Sequence, residues 1–174
     1  MKKRPKRKIK KYLEEFVYGA TDGSITTFAV VAGALGASLK ASVVIILGFA
    51  NLFADGFSMA ISSYLSSRSH EDLHKTEDHK KTPTKKAIAT FLSFVVIGFI
   101  PLITFVASLF YQMSESSKFI YTIILTGVAF IIIGYIKGNI TKKNKILSSL
   151  ESLFIGGTAA AIAYLVGYFL RGLA

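Results

Sequence analysis

The sequence predicts an all-α membrane protein of five transmembrane helices. Three observations carry that expectation. Apolar residues make up 52% of the 174 residues, the mean hydropathy is +0.51, and only 18% of residues are charged, against about 25% in an ordinary soluble domain. The apolar residues come in blocks rather than at helical or strand periodicity, and five blocks reach the roughly 20 residues needed to cross a hydrocarbon core about 30 Å thick. The basic residues cluster between alternate blocks, the pattern a bilayer imposes on connecting loops.

The expected spans are about 16–39, 42–64, 87–111, 119–136 and 150–170. Their connections are too short for a separate folded unit, so the chain divides into a basic arm with a lead-in helix over 1–15 and a membrane domain over 16–174. Of 21 Lys and Arg, 8 fall in residues 1–11, 6 in 68–86 and 4 in 137–145. Those three flanks share one side of a five-span chain. Cytoplasmic loops retain Lys and Arg, so the N-terminus is expected inside and the C-terminus outside. Five spans cannot be halved into two equal repeats, so a two-fold pathway would have to come from a homodimeric bundle. A basic start followed by an apolar run is also the pattern of a signal peptide. Here the run is 24 residues long and holds Asp22, so an uncleaved span is expected.

A net charge of +11 suggests nucleic acid in a soluble protein. The arm Lys2–Lys11 lacks the interleaved aromatics of such a surface and reads as a topology anchor that attracts anionic headgroups; no nucleic-acid partner is expected. With no cysteine, disulfides, thiolate metal sites and cysteine nucleophiles are excluded. No Ser-His, paired-carboxylate or His-rich catalytic set occurs within the spans, so an enzyme is not expected, nor a resident cofactor.

The informative residues are polar ones where polarity is costly. Span 1 carries Asp22, with Thr26, Ala29 and Gly33 on the same stripe. In span 2, Asn51, Asp55 and Met59 follow at i, i+4 and i+8, with Ser58 and Ser62 beside them. A helix polar on one side must face protein or water, because lipid cannot satisfy those groups. The hydroxyls read as helix-to-helix glue. The acids differ, since an ionisable side chain at mid-bilayer costs about 3 kcal/mol on insertion scales, and no Lys or Arg lies inside either span. Uncompensated acids invite a metal ion or a proton. Met59 stands as core filler or as a soft ligand that turns the preference toward Fe²⁺ or Mn²⁺. Small residues at four-residue spacing, Gly19/Gly23, Ala29/Gly33/Ala37 and Gly157/Ala161, permit close helix approach.

Two stretches, Tyr18-Gly-Ala-Thr-Asp22-Gly-Ser-Ile-Thr-Thr-Phe28-Ala-Val-Val-Ala-Gly33 and Ala50-Asn-Leu-Phe-Ala-Asp55-Gly-Phe-Ser-Met59-Ala-Ile-Ser-Ser-Tyr64-Leu-Ser66, resemble the vacuolar iron transporter family, and 154–167 resembles its last helix. The resemblance implies a five-span, N-terminus-in homodimer. It implies export of Fe²⁺, with Mn²⁺ as a second substrate, from the cytosol in exchange for protons along a path at the subunit interface. It also implies that Asp22 and Met59 line that path. Where the family often has Glu this chain has Asn51, and Asp55 one turn on is the candidate to supply the charge.

The family's cytosolic insert between spans 2 and 3, rich in glutamates, has no room in 66–86. That segment holds His70, His74, Glu77 and Asp78, which would share one face of a helix and form a metal site at the cytoplasmic mouth. Interleaved Lys75, Lys80 and Lys81 make a solvated, self-neutralising run the plainer reading. Glu14 and Glu15 stand beside the same mouth or belong to the lead-in helix. Two rival functions stay open: a channel or exporter for another cation, and a membrane anchor whose acids pair with a partner's Lys or Arg. A prokaryotic cell membrane is the expected location, with an organellar membrane as the alternative.

Overall fold

The computed structural model describes residues 12–74 and 82–173, and the described chain is helical with no strand. The helices are α1 (Leu13–Gly36), α2 (Ala41–His74), α3 (Thr82–Gly98), α4 (Ile103–Ala107), α5 (Glu115–Thr141) and α6 (Lys145–Leu170). A 3-10 turn over Ile100–Leu102 joins α3 to α4. Among the described residues, four stretches are long and apolar enough to cross a membrane: Ala41–Leu73, Pro83–Ala107, Ser116–Thr141 and Lys145–Leu173.

The first expected span forms as α1 but is not among those four. Thr21, Asp22, Ser24, Thr26 and Thr27 lower its apolarity, and its position explains how the fold tolerates them. α1 is the hub of the bundle, packed against α2, α3, α5 and α6. On one side Val31 and Ala34 join a buried cluster with Val44, Leu52, Phe94, Leu102 and Phe105. On another, Phe28 and Ala32 meet Phe130 and Ala160, the two phenyl rings lying edge to face at 6.3 Å. A helix wrapped by others needs little lipid-compatible surface. The outer helices show the reverse, exposing Phe57, Ile131, Ile132, Phe154 and Phe169.

Close approach to the hub depends on glycine. A Cβ on Gly23 would stand 2.5 Å from the Phe94 carbonyl oxygen, and one on Gly36 would run into the Tyr164 carbonyl. The small-residue spacing of α1 therefore serves contacts with α3 and α6 within one chain. Gly157 has nothing within 4 Å of its Cβ position and borders an apolar groove lined by Phe28, Phe119 and Tyr164.

Pro101 interrupts the third span, because its ring blocks the preceding turn and it offers no N–H. The interruption is tied to α5. Thr122 hydrogen-bonds with the Thr104 hydroxyl, and its Oγ1 donates to the Pro101 carbonyl at 3.5 Å. Asn144 caps α6 by accepting from the Ile146 and Leu147 amides at 3.0 and 3.3 Å. α2 runs ten residues past the expected end at Tyr64, since no Gly or Pro stops it. Glu14 and Glu15 form the first turn of α1 itself, where the helix dipole favours acids.

One end of the bundle gathers the start of α1, the end of α2, the start of α3 and the α5–α6 turn. Glu15 pairs there with Lys86 at 2.7 Å, and Lys137 with Glu151 at 3.1 Å. The second pair is well exposed on both sides, so Glu151→Gln should change thermal unfolding in detergent by no more than about 1 kcal/mol. A larger loss would show that the turn depends on this ion pair.

Candidate functional site

Asp22 sits in the middle of α1, on a turn whose backbone is pinned by Thr26 Oγ1 donating to the Asp22 carbonyl at 2.9 Å. The same Thr26 oxygen accepts from Asn51 Nδ2 of α2 at 3.5 Å. That bond joins the two polar stripes. The carboxylates of Asp22 and Asp55 are both half-buried and lie within electrostatic reach of each other. Two acids thus stand together inside a bundle, with no basic residue between 12 and 39 or between 41 and 67.

Met59 lies deeper. Each residue turns an α-helix by about 100°, so Met59 points about 40° away from Asp55, and that rotation carries it into the apolar cluster of Leu52 and Phe94 at 8% exposure. Asp55 stays at the rim. Ser58 and Ser62 lie on its outer side and are exposed, as is Ala54. The structure thus brings Asp22, Asn51 and Asp55 together, and places the Met59 sulfur on the inner shoulder of the same helix.

His70 lies near the end of α2, and α2 is helical as far as His74. Glu77 and Asp78 lie outside the described residues. Among the described residues no cluster of three His, Asp or Glu is close enough to hold a metal ion. Asp22 and Asp55 are carboxylates on the two helices that Asn51 and Thr26 join, a hard-oxygen set, while Met59 packs in the apolar cluster.

The profile of the VIT family matches residues 13–82 and 71–168. The chain belongs to the VIT family. This VIT member is 26% identical over 227 aligned positions to a Plasmodium berghei protein named vacuolar iron transporter, covering 93% of this chain and 83% of that one. It is 24% identical to vacuolar iron transporter 1 of Tulipa gesneriana, over 87% of this chain and 84% of that one. Vacuolar iron transporter homolog 3 of Arabidopsis thaliana is 26% identical over 164 positions, 88% of this chain and 80% of that one. The Plasmodium alignment is longer than this whole chain of 174 residues, so that relative carries additional residues within the matched region. The family's apolar helices make this VIT member an integral membrane protein.

A second polar region escaped the sequence pattern. At the end of the bundle where α1 begins, a cleft of about 420 Å³ is bordered by Glu14, Glu15 and Tyr18, by the serines of α2 as far as Ser67, and by Lys86 of α3. The glutamates drew attention in the sequence as neighbours of the mouth. Ser62 stood out only as a neighbour of the Asp55 stripe and Lys86 not at all, because they come from helices whose relative rotation only the fold reveals.

Proposed function

We propose that this protein exports Fe²⁺, and Mn²⁺ as a second substrate, from the cytosol in exchange for protons, through a path between two copies of the chain that Asp22, Asn51, Asp55 and Met59 line. The observation that carries it is the Asp22–Asp55 pair, two acids in electrostatic reach of each other on adjoining helices with no basic residue in either polar stripe. The iron-transport names of the relatives support the cargo. α1, at 24 residues and about 1.5 Å per residue, is long enough to be a fifth crossing.

The dimer reading draws support from the rim of α2. Ala54, Ser58 and Ser62 are exposed on one chain beside the half-buried Asp55. Lipid cannot satisfy such a stripe, whereas a second copy would cover it and bring two more acids to the same place. With four carboxylates, binding a divalent ion and binding protons become alternatives, because a protonated acid is a poor ligand. The concentration of Lys and Arg at one end supports a cytosolic N-terminus, in a cell membrane where the gradient drives protons inward.

The test is Fe²⁺ movement in proteoliposomes at several imposed pH gradients. Transport should rise about tenfold or more when the receiving side is acidic, and the lumenal pH should rise as iron enters. Iron movement indifferent to the gradient would favour a channel. No metal movement, together with a co-purifying membrane partner lost in Asp55→Asn, would favour an assembly subunit.

A further inference from the structure

The cleft at the start of α1 contains an incompletely satisfied acid. Glu15 is nine-tenths buried. Its Oε1 receives the Lys86 ammonium at 2.7 Å, while its Oε2 is buried with no hydrogen-bond partner. A buried carboxylate oxygen without a partner in the protein bears a desolvation penalty that the single contact with Lys86 does not fully offset. Glu14 brings a second carboxylate to the border of the cleft, and Ser62, Ser66 and Ser67 of α2 also line it.

The charges of the cleft define its ligand. Two carboxylates and one ammonium leave a single net negative charge, and without the ammonium there are two, the complement of a divalent cation. The oxygens are hard ligands, of the kind that suits Mn²⁺, Fe²⁺ or Mg²⁺. Lysine carries a compact charge on a flexible four-carbon stem, and the Lys86 side chain is 29% exposed, so the ammonium has a route to water.

We propose that Lys86 is a resident stand-in cation: it holds Glu15 in the empty cleft, and a divalent metal ion displaces it on loading. Lys86 then sets the affinity of a cation site separate from the Asp22–Asp55 pair. As a first station for cargo this rests on the transport reading above. The alternative is an ion pair that only ties α1 to α3.

The experiment uses the full chain purified in detergent, with Mn²⁺ alone as probe and free Mn²⁺ followed by electron paramagnetic resonance. Lys86→Met, which keeps the stem and removes the charge, should bind Mn²⁺ about tenfold more tightly. Lys86→Arg should bind no more tightly than the original chain, and Glu15→Gln about tenfold less. The gain in Lys86→Met should persist when Asp22→Asn is added; its disappearance there would put the metal at the Asp22–Asp55 pair and overturn the proposal. Equal affinity in Lys86→Met and the original chain would overturn it too. Should Lys86→Met not fold, the original chain decides: saturating Mn²⁺ should raise acylation of the Lys86 amine several-fold, read by mass spectrometry, and an unchanged rate sinks the idea. Both readouts are taken without a gradient. A chain that behaves as expected here but moves no Fe²⁺ in vesicles refutes transport and keeps the site, whereas transport with unmoved acylation refutes the site alone.

Discussion

Replacing Asp22 with Asn should cut Fe²⁺ transport about a hundredfold while leaving the bundle folded. The substitution keeps the shape of the side chain and removes one of the two charges of the Asp22–Asp55 pair on which the proposed path rests. A charge a few ångströms from a divalent ion contributes on the order of 3 kcal/mol in a partly buried site, which is about a hundredfold in binding. The fold does not depend on the carboxylate. Thr26 holds the Asp22 carbonyl, and Asn51 reaches Thr26 rather than either acid. Asp22 and Asp55 are half-buried acids in spans that hold no basic residue, so Asn at either position should leave the melting temperature in detergent unchanged or raised. Asp55→Asn should act in the same direction on transport. Uptake in Asp22→Asn within a few-fold of the original chain, at equal protein in the vesicles, would remove the acid pair from the path.

Much of the architecture was legible because a bilayer restricts the choices. Apolar blocks bounded by charge gave the helices in order. The ends were less legible where helix outlasts membrane. α2 continues through Arg68 and Ser69 to His74 because hydrogen bonding along a helix does not require apolar side chains, and hydropathy reports only the part that lipid touches. The reverse holds for α1, whose residues Asp22 to Thr27 weaken its apolar signal because its neighbours, not lipid, surround it.

The site was legible to the extent that it follows one helix. Asp55 and Asn51 share a stripe, and Asn51 meets α1 at Thr26. Met59 was placed on that stripe by counting in fours, and four residues overshoot a turn by about 40°; over two turns the drift carried it into the cluster of Leu52 and Phe94. The cleft of Glu15 and Lys86 joins residues 71 positions apart in sequence. No spacing rule connects such residues, since the contact depends on how α1 and α3 are rotated against each other.

That rotation is held at Gly23, and Gly23→Val should leave no folded protein after detergent extraction. The atoms a Cβ would meet are the Phe94 carbonyl oxygen at 2.5 Å and the Phe94 Cα at 3.0 Å. These are backbone atoms and have no rotamer by which to yield, so α1 and α3 would have to separate. Overpacking costs about 1–3 kcal/mol where side chains can adjust, and more is expected here because parting the helices also loosens Gly19 from Thr90 and Ser93 from the Glu15 carbonyl. Gly157→Ala is the contrast: with open space at its Cβ and a better helix former in place of glycine, it should keep or gain up to about 1 kcal/mol. Size-exclusion profiles of the two variants would read the difference directly, and a well-folded Gly23→Val would show that the α1–α3 contact is looser than described. Gly23→Ala separates stability from function, because Gly23 adjoins Asp22. A shift of α1 by a few tenths of an ångström moves Asp22 against Asp55, so a variant that still folds should lose proportionately more transport than stability.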